Sequence, residues 1–132
     1  MNVTPFLMFE GSAEKAMDYY VSIFPDSRIL DIRRYGRDER GAEGTVMKAT
    51  FSVAGQSIMC IDSPMKHGFT FTPATSLFVN VDTEEQIDQL TSQLSEGGQT
   101  LMPLGSYGLS RKFAWINDRF GVSWQLNLPF ES

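Results

Sequence analysis

Few residues in this chain have types and spacings that could do chemistry. His67 is the only histidine and Cys60 the only cysteine. A general base needs a placed partner, and His67 lies in a connector, where an exposed loop residue is its simplest role; one histidine on such a segment supports no Ser-His-Asp set. A nucleophilic thiol needs a base nearby; a lone cysteine inside the apolar strand "SIMCI" reads as a small core residue and has no internal disulfide partner. Asp62, at the end of that strand, could accept a proton or orient a ligand, with a turn role as the simpler alternative. Asp118 and Arg119 read as a turn residue and a solvated charge. Arg111 and Lys112 end the glycine- and serine-rich loop "LGSYGLSRKF", where they either meet an anionic ligand or sit solvated at an ordinary turn. The remaining candidate is a strand face. In "GVSWQLNLP", residues 121 to 129, Val122, Trp124, Leu126 and Leu128 point one way and Ser123, Gln125 and Asn127 the other. That polar row faces solvent or lines a site.

The elements that must position these residues are short. "TPFLMF", residues 4 to 9, reads as a strand, and Ser12 caps a helix running to about Phe24 with Ala13, Ala16, Met17, Tyr20 and Phe24 on one stripe. Pro25 stops it. "SRILDIRRY", "GTVMKATFSVAG" and "QSIMCID" are three further strands. After the proline-bearing connector "SPMKHGFTFTPA" the order starts again: strand "TSLFVNV", a helix from Glu84 to about Glu96 capped by Thr83 with Gln86 completing a capping box, Gly97 and Gly98 ending it, then strands "QTLMPL", "RKFAWIND" and "VSWQLNL". The chain is β-α-β-β-β written twice. Superposing the caps Ser12 and Thr83 places Pro5 over Ser76 and Leu7 over Phe78; superposing "GQSIMCI" on "GVSWQLN" places Ser57 over Ser123, Met59 over Gln125 and Ile61 over Asn127. Ile58, Cys60, Trp124 and Leu126 then form the apolar faces that the helices must cover.

Composition bounds the function. The 132 residues are 42% hydrophobic and 12% aromatic, enough apolar surface for a packed core. Apolar runs are too short to span a bilayer, and the N-terminus has no signal-peptide pattern, so a cytoplasmic protein with no membrane role is expected. Eleven basic against sixteen acidic residues give a net charge of -5, which disfavours nucleic acid; the mixed-sign cluster "DIRRYGRDER" reads as a solvated loop. No "G-x-G-x-x-G" or Walker-type loop is present for a nucleotide cofactor.

Several stretches carry a resemblance. "TPFLMFEGSAEKAMDYYVSIFPDS", "GTVMKATFSVAGQSIMCIDS" and "FAWINDRFGVSWQLNLP" resemble the PhnB-like branch, often labelled 3-demethylubiquinone-9 3-methyltransferase domain, of the glyoxalase, bleomycin-resistance and dioxygenase (vicinal oxygen chelate) superfamily. The resemblance covers nearly the whole chain, most specifically through "F-x-G-x-A-E-x-A-x-x-x-Y" and "D-x-F-G-V-x-W-Q". It implies an α+β fold of two tandem βαβββ modules, with helices on the outer faces of curved sheets, a concave pocket between the halves, and a homodimer. One glyoxalase-like domain over 1–132 is expected, with module 1 at about 1–63, a connector at about 64–74 and module 2 at about 75–130. Metal ligands in relatives carry over by position to Pro5, Met59, Ser76 and Gln125, of which only Gln125 suits a cation, so no metal and no cofactor are expected. The inferred concave face carries Leu7, Met59, Ile61, Ser76, Phe78, Asn80, Phe113, Trp115, Ser123, Gln125 and Asn127, an apolar and aromatic lining with a few amides and hydroxyls. Trp115 is placed to stack on a flat ligand, or simply packs; Trp124, on the opposite face, reads as core.

Three functions follow as expectations. The first is a metal-free protein binding a small, partly aromatic molecule. The second is an enzyme of the superfamily, either metal-dependent through His67, Asp62 and Gln125 or a lyase or isomerase. The third is a structural or interaction protein with a filled pocket. The methyltransferase label fits poorly, because S-adenosylmethionine enzymes acting on quinone precursors use a Rossmann-like sheet that this order of elements does not build.

Overall fold

The alternating strand patterns and the two amphipathic segments resolve, in a computed structural model describing residues 1–131, into two four-stranded open sheets, each covered by one helix. The chain divides into two units, Met1–Gly68 and Phe69–Ser132. The first holds β1 (Phe6–Phe9), α1 (Ala13–Ile23), β2 (Arg28–Arg34), β3 (Val46–Val53) and β4 (Gln56–Asp62), in sheet order β1-β4-β3-β2. The second holds β5 (Leu77–Asn80), α2 (Glu84–Ser95), β6 (Gln99–Gly105), β7 (Lys112–Asn117) and β8 (Ser123–Leu128), in the order β5-β8-β7-β6. In each sheet the first and fourth strands pair in parallel and the remaining pairs are antiparallel. The fold is α+β, and the repeat read from the sequence is real. No helix is long and apolar enough to cross a membrane among the described residues.

Each helix buries its stripe on one sheet face. In the first unit Ala13, Ala16, Met17 and Tyr20 of α1 are fully buried, as are Ala49 and Phe51 of β3 and Cys60 of β4. Tyr20 and Phe51 stack with ring centroids 6.1 Å apart. In the second unit Ile87, Leu90 and Leu94 of α2 cover the face formed by Ala114, Ile116, Trp124 and Leu126. Burial of each large apolar side chain stabilises by about 1.5–3 kcal/mol, so one packed stripe suffices to fix which face of a sheet turns inward.

The two helix starts differ. Thr83 and Gln86 form the expected capping box: Gln86 N–H donates to Thr83 Oγ1 at 3.1 Å, and Gln86 Oε1 accepts from Thr83 N at 3.3 Å. Ser12 occupies the N-cap position of α1, but its side chain caps nothing. A distant carboxylate replaces it: Asp62 Oδ1 accepts from Gly11 N at 2.7 Å and Ala13 N at 3.0 Å.

The register of the first strand corrects one expectation. β1 pairs Phe6 with Met59 and Leu7 with Cys60, whereas β5 pairs Phe78 with Gln125. With Met59 equivalent to Gln125, the counterpart of Phe78 is Phe6, not Leu7. Leu7 therefore shares the side of the buried Cys60, the helix side, and Phe6 and Met8 take the opposite face. The cause is one additional residue between strand and cap: Glu10 and Gly11 separate Phe9 from Ser12, where only Asp82 separates Val81 from Thr83. Gly11, with φ of +124°, turns the chain through that extra step. Superposing caps therefore slid the strand by one residue, and a one-residue slip exchanges its faces.

Candidate functional site

The face of the second sheet turned away from α2 is polar, aromatic and connected. β8 sets Ser123, Gln125 and Asn127 on it, and the register opposes them to Asn117, Trp115 and Phe113 of β7; β5 adds Phe78 and Asn80 opposite Gln125 and Asn127. Ser76, just before β5, joins the same row. Trp115 Nε1 donates to Ser123 Oγ at 2.8 Å, Ser76 Oγ and Ser123 Oγ lie 2.6 Å apart, and Gln125 Nε2 donates to Ser76 Oγ at 3.2 Å. Asn127 Nδ2 donates to Asn80 Oδ1 at 2.9 Å. The row polar in sequence is thus joined by hydrogen bonds running from one strand to the next.

Counting hydrogens shows what this network leaves over. Each hydroxyl has one hydrogen and can accept twice. Trp115 donates to one oxygen and Gln125 to the other, and a single hydroxyl hydrogen fills the space between the two oxygens, so one remains. Ser123 is only 2% exposed, and an unpaired donor there would cost about 1–3 kcal/mol. Ser123 therefore donates to Ser76, and the half-buried Ser76 holds its own O–H outward. Gln125 Oε1, also half-buried, accepts from nothing among the described residues. Beside this free donor and acceptor stand the Trp115 ring, half-buried, and Phe78, 57% exposed. Every side chain named on this face is uncharged.

Of the residues expected at a site, Ser76, Phe78, Phe113, Trp115, Gln125 and Asn127 are brought onto this one face. Met59 and Ile61 lie on the corresponding face of the first sheet, with Phe6 and Met8 rather than Leu7 beside them. Trp124 is core, 1% exposed. Cys60 is fully buried, and burial, aided by the Asp62 charge, pushes its thiol up to about 12, which suits a packing residue.

The charged candidates have other partners. Asp62, 3% exposed, spends both oxygens on backbone: besides Gly11 and Ala13, its Oδ2 accepts from Val46 N at 2.9 Å. It borders a cavity of about 270 Å³ lined also by Gly11, Thr45, Ser63, Met65 and Lys66. His67 Nε2 bonds Ser63 Oγ at 2.8 Å in the connector. Asp118 is the turn residue expected, accepting from Phe120 N and Val122 N at 2.8 and 3.1 Å, but it is also 3% exposed and reaches into the core to accept from Trp124 Nε1 at 2.9 Å. Arg111 and Lys112 meet acids, Arg111 with Glu131 at 3.2 Å and Lys112 with Asp88 at 3.0 Å. Sequence reasoning had no local signal for the Asp62 and Trp124 bonds, which join separate elements.

A divalent cation at the positions expected for metal ligands needs several oxygen or nitrogen donors. The one-residue slip of β1 puts Thr4, not Pro5, at the place equivalent to Ser76. At the four positions Thr4 offers only a hydroxyl, Met59 a thioether, and Ser76 and Gln125 are bonded to each other. These residues do not fit such an ion.

Comparisons with known proteins agree with the architecture. The family model described as 3-demethylubiquinone-9 3-methyltransferase matches residues 1–127. The PhnB protein of Bacillus cereus is 55% identical, with a TM-score of 0.94 over 97% of this chain and 99% of that one. A solved protein of Pseudomonas aeruginosa is 26% identical, with a TM-score of 0.87 over 99% of each chain. A glyoxylase/bleomycin resistance protein/dioxygenase domain from a Frankia species, 15% identical, shares the fold with a TM-score of 0.70 over 98% of each chain. No curated protein matches the chain.

Proposed function

This chain belongs to the 3-demethylubiquinone-9 3-methyltransferase family, the PhnB-like branch of the glyoxalase, bleomycin-resistance and dioxygenase superfamily, and from that premise we propose that it is a metal-free binding protein for a small, flat, partly aromatic molecule. The observation that carries this reading is the free donor and acceptor pair, Ser76 O–H and Gln125 Oε1, held beside Trp115 and the exposed Phe78. A ligand suited to it has an aromatic ring to lie on those side chains and an uncharged group, such as a carboxamide, that accepts from Ser76 and donates to Gln125. The donor set at the ligand positions of metal-dependent relatives supports binding without a cation. Methyl transfer is not the reading we favour, because neither sheet is the alternating parallel β-α array that holds a methyl donor in Rossmann-like enzymes. The protein acts, on this reading, as a cytoplasmic homodimer with no nucleic-acid or membrane partner.

The test is a titration with 2-naphthamide, following the Trp115 indole N–H resonance and the melting temperature of chelator-treated protein. Binding to the native state stabilises by about 2.7 kcal/mol at a hundredfold excess over Kd. A saturable shift that weakens about tenfold in Ser76→Ala and Gln125→Leu is expected, since each deletes one hydrogen bond to the ligand's polar group. A stabilisation seen only with a divalent ion, and lost in Gln125→Leu, overturns the metal-free reading.

A further inference from the structure

The first sheet has a bare face of different chemistry. Arg33 and Lys48 are direct cross-strand partners of β2 and β3, and because Ile32 pairs with the buried Ala49, both point away from α1. Arg28, paired with Ser52, lies on the same face. Like charges placed directly opposite destabilise a sheet, and here no carboxylate relieves them: none of the three cations forms an ion pair among the described residues. Asp31, opposite Thr50, is the one acid on this face, against three cations, in a protein whose net charge is -5. Charge on an edge strand can serve to block sheet-to-sheet pairing, which accounts for Arg33 on the edge strand β2. It does not account for Lys48, which is on the interior strand β3. Next to this basic pair the same face is apolar, with Met59 and Ile61 of β4 and Phe6 and Met8 of β1; Phe6 is 58% exposed.

We infer that this face of the first unit takes a small organic anion with an apolar body, its charge held by Arg33 and Lys48 and its body laid on Met8, Met59 and Ile61. Arg33 supplies a planar fork suited to a carboxylate or phosphonate, and Lys48 a second charge opposite it. The thioethers of Met8 and Met59 adapt to a ring without demanding one shape. The inference concerns the first unit alone and does not require the Ser76 and Gln125 face to bind anything.

Protein carrying 13C-methyl methionine would be titrated with 2-naphthoate, phenylphosphonate and the neutral 2-naphthamide. The expected result is a saturable shift of the Met8 and Met59 methyls with the anions, about tenfold weaker with the amide and about tenfold weaker in the Arg33→Gln, Lys48→Gln double variant, because hydrogen bonds to charged groups carry that much. The Arg37→Gln, Arg40→Gln double variant, which removes the same two charges from the β2–β3 loop, leaves the affinity unchanged. Equal binding of amide and anion, affinity retained in the double variant, or no saturable shift up to about 10 mM anion overturns the inference. A shift confined to the Met102 methyl, the cross-strand partner of Trp115, would support a site on the second sheet while overturning this one. Met8 and Met59 shifts that follow protein dilution instead of ligand would assign the face to a second copy of the chain, and overturn it as well.

Discussion

Replacing Asp62 tests whether a residue that looks chemical is a structural joint. Its carboxylate, 3% exposed, accepts from Gly11 N, Ala13 N and Val46 N at 2.7, 3.0 and 2.9 Å, and so ties the start of α1 and the start of β3 to the end of β4. Asp62→Ala leaves three backbone donors without an acceptor. Hydrogen bonds to charged groups are worth about 1.5–3 kcal/mol each, and water entering from the adjoining cavity replaces part of that, so a net loss of about 3–4 kcal/mol is expected. At about 3–4 °C per kcal/mol for a chain of this size, the melting temperature falls by about 10–15 °C. Asp62→Asn should lose about half as much, since its remaining oxygen keeps Gly11 and Ala13 while its NH2 turns toward the Val46 N–H. Urea unfolding followed by far-ultraviolet circular dichroism reads the loss. Both tryptophans, Trp115 and Trp124, belong to the second unit, so fluorescence in the same samples shows whether that unit unfolds together with the first. An Asp62→Ala protein within about 1 kcal/mol of the parent would refute this account and return Asp62 to the list of groups free to act on a ligand.

Two further outcomes follow from the same geometry. Thr83→Ala should cost about 1 kcal/mol in denaturant unfolding because it removes half of a capping box, whereas Ser12→Ala at the equivalent cap should cost almost nothing, its side chain making no cap bond. Cys60 should resist alkylation by iodoacetamide in native buffer and react only in urea; because its thiol is raised from 9.0 to about 12, its contribution to stability is complete below pH 9 and is lost as pH climbs toward 12, which a pH series of melting temperatures would show.

Much of the fold was legible because its signals are local. Strand β4 was read at its observed bounds from "QSIMCID", and the Thr83 and Gln86 capping box was read three residues apart in sequence. The face assignment of β8 held for the same reason: alternation is a property of neighbours, and the buried Trp124 and half-buried Gln125 follow from it. The errors came from steps that local pattern does not record. Leu7 went to the wrong face because one loop residue was added before Ser12, a change invisible to periodicity and decisive for register. Asp62 acts as cap to a helix 49 residues earlier, and Asp118 secures the Trp124 indole inside the core; each is a contact made across elements.

The two buried aspartates also explain why the candidate site is uncharged. A carboxylate taken from water must be met by several donors, and in both units the donors nearest to hand are backbone N–H groups at turns and element ends. Once Asp62 and Asp118 are spent there, and Lys112 and Arg111 are drawn to acids, the polar groups left to face a ligand on the second sheet are hydroxyls and amides. Such groups bind through geometry, not charge, so Ser76→Ala should weaken a neutral ligand while leaving its dependence on salt and pH unchanged. Arg33→Gln on the first sheet should do the opposite, removing a salt-sensitive part of the affinity for an anion. Comparing titrations at low and high ionic strength for these two variants therefore separates two recognition chemistries that one sequence repeat has carried to different ends.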